Sequence, residues 1–158
     1  MKANIAFMYG PKDLRIENVE VPELKPNQIL IKTKACGICG SDVHCYLGES
    51  AEGRYDIAPY TPGHEVGGQV IGIGSDVSTF KVGDKVTAEC VLACGHCANC
   101  KEGLMPSACL NFRELGFRPD SPGGMGEYIV IEEEYAYKIP DDWSYDWGAW
   151  VETFSIGY

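Results

Sequence analysis

Three things are scarce in these 158 residues, and each scarcity closes off a class of function. Positive charge is short: 13 lysines and arginines stand against 23 aspartates and glutamates, a formal net charge of −10. A phosphate backbone or an anionic membrane surface would be repelled, so nucleic acid is excluded as a partner. Long apolar runs are missing, with nothing near the roughly 18 residues a membrane-spanning helix needs. The apolar start of MKANIAFMYGPKDL is broken by Gly10, Pro11 and Lys12 before it could form a signal-peptide core. The expected location is therefore the cytoplasm, with no membrane contact. The fingerprint G-x-G-x-x-G between a strand and a helix is also lacking: its nearest string, GIGSDV from Gly72 to Val77, has no third glycine and reads as a hairpin turn. Nor is there an internal repeat or a low-complexity segment.

What is present suits one globular domain. The composition is 45% hydrophobic with 19 glycines, which favours tight turns and short strands, so the expected structure is mainly β with short helices. In QILIKTKA, Ile29, Ile31, Thr33 and Ala35 share one face while Lys32 and Lys34 take the other, the alternation of a half-buried strand. NIAFM, LRIENVEV, VGGQVIGIG, DKVTAEC, EYIVI and YAYKI read the same way, separated by turn signals such as YGPKD, LKPNQ and VGD. Short strands at this spacing predict a barrel or sandwich.

Two segments depart from that pattern. SDVHCYLGE predicts a helix of about two turns capped by Ser41. In SYDWGAWVETFSIGY, residues Trp147, Trp150, Val151, Phe154 and Tyr158 follow helical spacing and form one apolar stripe. That stripe packs back on the strands, meets a partner, or continues into a further domain.

Eight cysteines are about 5% of the chain, below the level of a secreted disulfide scaffold, and five of them fall between Cys90 and Cys109. In a reducing compartment such clustering points to metal. CGHCANCKEGLMPSAC spaces Cys94, Cys97 and Cys100 at two-residue intervals, with Cys109 eight residues further on. Four thiolates close a tetrahedral shell around zinc and leave no open position, which makes a site of this kind structural. The rival is an iron–sulfur cluster, but bacterial ferredoxins place the fourth cysteine after three residues and before a proline, and here Leu110 follows Cys109. His96 reads as a solvated loop residue, and Cys45 and Cys90 as small core residues.

CGICGSDVH, residues 36 to 44, holds a second Cys-x-x-Cys, and spacing alone leaves it open between a redox dithiol and two ligands of a zinc site. TPGHEVGG sets His64 and Glu65 between glycines, and WVETF sets Glu152 among aromatics. Singly, each has a structural explanation.

Together, CGICGSDVH, PGHEVGGQVIGIGSDVSTFKVGDKV, CGHCANC, GGMGEYIVI and VETFSIGY appear in the order found in zinc-dependent medium-chain alcohol and polyol dehydrogenases. The whole chain, 1–158, resembles their GroES-like catalytic domain, a partly open β-barrel with a cysteine-rich zinc lobe at about 90–112. The resemblance implies that Cys39 and His64 are ligands of a catalytic zinc, that Cys36 is not, and that Glu152 takes the place sorbitol-type enzymes give to a glutamate. Glu65 would be a neighbouring carboxylate able to exchange onto the metal, and Ser41 and His44 would form the proton relay. Cys94, Cys97, Cys100 and Cys109 match the structural zinc lobe, although the family pattern has seven residues before the last cysteine where this chain has eight.

The implied cofactors are two zinc ions per chain and NAD or NADP held by a Rossmann domain absent from this chain, with 144–158 as the start of the connection to it. The implied function is oxidation of a secondary alcohol, a small-molecule polyol or sugar alcohol, by hydride transfer. Residues 1–158 alone are expected to be inactive, and a homo-oligomer of the full-length protein is left open. Two rivals are a stand-alone zinc-binding interaction module and an iron–sulfur electron carrier.

Overall fold

Each alternating run forms a strand. In the computed structural model, which describes residues 1–49 and 58–158, the strands are β1 (Lys2–Gly10), β2 (Asp13–Glu20), β3 (Gln28–Cys36), β4 (Val66–Ile73), β5 (Lys85–Ala88), β6 (Val91–Leu92), β7 (Arg113–Glu114), β8 (Tyr128–Glu132) and β9 (Ala136–Lys138). Three helices join them: α1 (Gly40–Leu47), α2 (Ala98–Lys101) and α3 (Tyr145–Gly157). None of these helices is long and apolar enough to cross a membrane.

The main sheet is antiparallel, in the order β8-β3-β4-β5-β9. β3 lies between two partners, so Ile29 faces Ile131 on one side and Ile73 on the other, and Ile31 faces Ile129 and Val70. Ile29, Ile31, Val70 and Val86 are fully buried and anchor the core with Phe80, Leu115 and Ile129. Each such side chain contributes about 1.5–3 kcal/mol through its removal from water. The β1–β2 hairpin buries Ala3, Ile5 and Met8 and joins the rest through bridges from Ile5 to Gly126 and from Met8 to Tyr60. Among the described residues the sheets stay open and none closes into the barrel expected from strand spacing.

Two helix expectations need adjustment. The N-cap of α1 is Cys39, with φ −75° and ψ 157°, and not Ser41. The reason is Asp42, whose carboxylate reaches back to accept the Cys39 amide at 3.0 Å and so starts the helix earlier. α3 has the expected start, with Ser144 Oγ accepting the Trp147 amide at 3.4 Å, but its apolar stripe does not pack on the strands. Its buried residues are Gly148 and Ala149. α3 rests its first turn on β4 at Gly67, where a β-carbon would strike the Tyr145 carbonyl, so only glycine permits this approach. Trp147, Trp150 and Phe154 point outward, each more than half exposed.

Candidate functional site

The cysteine-rich lobe is a loop closed at its base by the β6–β7 ladder, Val91 opposite Glu114 and Leu92 opposite Arg113. Cys97 caps α2, which places Cys100 one turn along, and a 3-10 turn at Pro106–Ala108 returns the chain to Cys109. The four sulfurs lie within 4.8 Å of one another. Cys97 Sγ is 3.4 Å from Cys100 Sγ and 3.9 Å from Cys109 Sγ. A tetrahedron with metal–sulfur bonds of about 2.3 Å places its sulfurs roughly 3.8 Å apart, so the lobe already has the dimensions of a zinc shell.

Backbone amides make the lobe hospitable to thiolate. Cys109 Sγ accepts from the amides of Cys94 at 3.2 Å and Asn111 at 3.3 Å. Amides of Leu110 and Cys100 pull Cys97 down to about 6, while sharing a hydrogen bond with Cys97 pushes Cys100 up to about 12. The 3-10 turn leads directly into Cys109, which is 4% exposed. His96 is exposed, its Nδ1 2.6 Å from the Cys94 carbonyl, and takes no place in the cluster.

A second convergence lies where β3, α1, β4 and α3 meet. Ligand atoms of Cys39, His64 and Glu65 lie within 4.8 Å of one another. A separate set at the same spacing joins His64 to Cys90 and Glu152. Glu152 thus reaches His64 but is grouped with Cys90, the cysteine read from sequence as a core residue. That reading fits Cys45, which is buried; Cys90, just past the end of β5, is half-buried.

His64 is 4% exposed, stacks against Phe117 with ring centroids 5.2 Å apart, and its Nδ1 is buried without a hydrogen bond. An unpaired buried polar atom is costly, and a metal ion among these donors would relieve it. Asp42, 5% exposed, accepts from the amides of both Cys39 and Gly63, at 3.0 and 3.3 Å, and so fixes the backbone beside both first ligands. Burial raises its carboxyl above the ordinary range, although His64 opposes the shift. Asp42 was missed in the sequence; the trace it leaves there is its position three residues after the cap.

Glu65 Oε1 accepts the Thr153 hydroxyl at 3.1 Å, which ties α3 to the site. Gly37 is required beside it, because a β-carbon there would collide with the Glu65 carboxylate. Burial raises Glu152 and pushes Cys36 up to about 12. Cys36 Sγ lies 3.5 Å from the Gly37 carbonyl and belongs to neither ligand set. Ser41 and His44 stand on α1; His44 is exposed, its Nδ1 3.2 Å from Glu49 Oε2.

Comparison with known proteins gives this arrangement a context. Residues 25–141 match the alcohol dehydrogenase GroES-like domain. A sorbitol dehydrogenase of Bacillus subtilis strain 168 is 39% identical over 158 residues, covering 99% of this chain and 43% of that protein. Among solved structures, 2R,3R-butanediol dehydrogenase from Bacillus subtilis superposes with a TM-score of 0.81 at 37% identity, over 95% of this chain and 44% of that one. A zinc-binding dehydrogenase from Sinorhizobium meliloti 1021, bound to NADP, gives 0.82 at 31%, over 95% and 42%. The chain therefore spans less than half the length of these relatives. The matched residues include His64, just before β4, and the whole cysteine lobe, and the chain belongs to the family of alcohol dehydrogenase GroES-like domains found in zinc-dependent medium-chain dehydrogenases.

Proposed function

We propose that this chain is the catalytic domain of a zinc-dependent NAD(P) oxidoreductase that oxidises a secondary alcohol, with polyols and sugar alcohols as its substrate class. The observation that carries this reading is the convergence of Cys39, His64 and Glu65 around a buried imidazole whose Nδ1 has no partner. Cys39, His64 and Glu152 would hold one zinc, with Glu65 able to exchange onto it; Cys39 and Glu152 lie in separate donor sets that share His64. Cys94, Cys97, Cys100 and Cys109 would hold a second, structural one. A thiolate, a carboxylate and a neutral imidazole balance a divalent ion and leave a coordination position open. When bound there, zinc supplies Lewis acidity that eases ionisation of a substrate hydroxyl, a larger effect than the roughly 100- to 10,000-fold of a positioned acid or base.

The chain's own residues would handle the proton. The Ser41 hydroxyl would receive it from the substrate hydroxyl and pass it to His44, whose exposed imidazole, its Nδ1 3.2 Å from Glu49 Oε2, would release it to solvent. A nicotinamide cofactor, when bound, would supply the acceptor for the hydride of the carbinol carbon, so that the alcohol leaves as a ketone. That cofactor would be held outside residues 1–158, since this chain carries no G-x-G-x-x-G motif, and these residues alone are proposed to bind metal without turnover. The outward aromatic face of α3, where Trp147 and Trp150 stack at 6.5 Å and Trp150 and Phe154 at 5.5 Å, fits docking onto that cofactor-binding part.

The test is formation of NAD(P)H by the whole enzyme over a panel of sugar alcohols, diols and simple secondary alcohols. The reading expects turnover of a polyol that His64→Ala abolishes. No turnover by zinc-loaded enzyme with any alcohol, or turnover that survives His64→Ala, would contradict it.

A further inference from the structure

We infer that Cys90 is a second thiolate ligand for the metal at His64, pairing with Glu152 as Cys39 pairs with Glu65. The inference rests on the metal site proposed above and adds a residue to it. Two ligand sets share the His64 imidazole, and they are chemically equivalent. Each consists of one cysteine sulfur, one carboxylate oxygen and the common nitrogen, with ligand atoms within 4.8 Å of one another. Each carries two negative charges when its thiol is ionised, enough to neutralise a divalent cation.

The backbone holds Cys90 in this position. Its carbonyl accepts the amide of Leu115, which is fully buried, at 2.9 Å, and the preceding residue, Glu89, donates its amide to the Tyr135 carbonyl at 2.8 Å. Cys90 therefore lies at a fixed joint between the main sheet and the base of the cysteine lobe. Glu152 arrives from α3, which is seated on β4 at Gly67. His64 is the pivot, held by its stacking on Phe117.

Cadmium-113 NMR of the protein loaded with cadmium reads this directly, because every thiolate moves the resonance strongly downfield. The four-sulfur lobe gives one resonance and reports that the fold is intact. In Cys39→Ser the second resonance is expected to remain in the range of one-sulfur coordination, supplied by Cys90; in Cys39→Ser/Cys90→Ser it should move upfield to nitrogen and oxygen coordination or vanish. A Cys39→Ser spectrum whose second resonance already lacks sulfur, or is absent, overturns the inference. If the unsubstituted protein binds cadmium only in the lobe, the metal site itself is wrong and the inference falls with it. In unsubstituted protein, a second equivalent of cadmium should slow alkylation of Cys90 as well as Cys39, mapped by mass spectrometry. Slowing of Cys39 alone would again count against Cys90 and leave the metal site standing.

Discussion

Asp42 and Cys39 are locked together at the head of α1: the Asp42 carboxylate accepts the Cys39 amide at 3.0 Å, and its other oxygen accepts the Gly63 amide at 3.3 Å. One buried side chain thus sets the spacing between the first thiol and the histidine that follows Gly63. Asp42→Ala would leave two amides without their acceptor and cost about 2 kcal/mol of stability. Affinity for the metal at His64 should fall about 10- to 100-fold, as is usual when a group supporting a ligand is removed. Competitive chelation should show this loss at one site only, with the lobe metal unaffected.

Gly37 is the second supporting position. A methyl group there meets the Glu65 carboxylate, which is also held by Thr153. Gly37→Ala is expected to displace Glu65, weaken the same metal site and leave the four-cysteine lobe at full occupancy. Elemental analysis after mild chelation would reveal the difference; equal retention of both metals would show that Glu65 has room to move.

Removal of the lobe metal should unfold the loop locally while the main sheet persists. The amides of Cys94 and Asn111, which donate to Cys109 Sγ, report on the loop, and the amide of Gly83, which donates to the Val70 carbonyl, reports on the sheet. Hydrogen exchange after chelation is expected to speed at the first pair and not at Gly83.

Glu133 gives the fold a pH dependence of predictable sign. Its carboxylate accepts the Thr79 amide at 3.0 Å and the Ser78 amide at 3.3 Å, and these bonds hold it below the ordinary glutamate range. A depressed folded-state value means that the stabilisation is complete above the unfolded-state value and disappears as pH falls through the depressed one. Glu133→Gln should therefore lower Tm at neutral pH, with the difference from the parent shrinking as the solution is acidified through the carboxylate range. A constant difference would show that ionisation of Glu133 does not matter.

The strands were legible because alternation of period two survives in runs such as QILIKTKA, where one face is buried against Ile129, Ile131 and Val70. β6 and β7 were not, since two residues are too short for any period to show. The lobe announced itself through Cys-x-x-Cys spacing, which local turns convert into a tetrahedron. The helix cap was misplaced because a serine was preferred to a cysteine, and the carboxylate that decides the matter is three residues past the true cap. Cys90 could not be read as a neighbour of Glu152, because only the docking of α3 on Gly67 brings the two together. The outward face of α3 was equally hidden: its aromatic stripe has core-like spacing, while contact with the sheet is made by the glycine and alanine between.

The central claim is that this chain carries two metal sites of different kinds, and metal content per chain by elemental mass spectrometry tests it most directly. The account predicts two zinc ions in the parent protein and one in His64→Ala, with a colourless solution in both. One zinc in the parent, or iron accompanied by a brown colour, would contradict it.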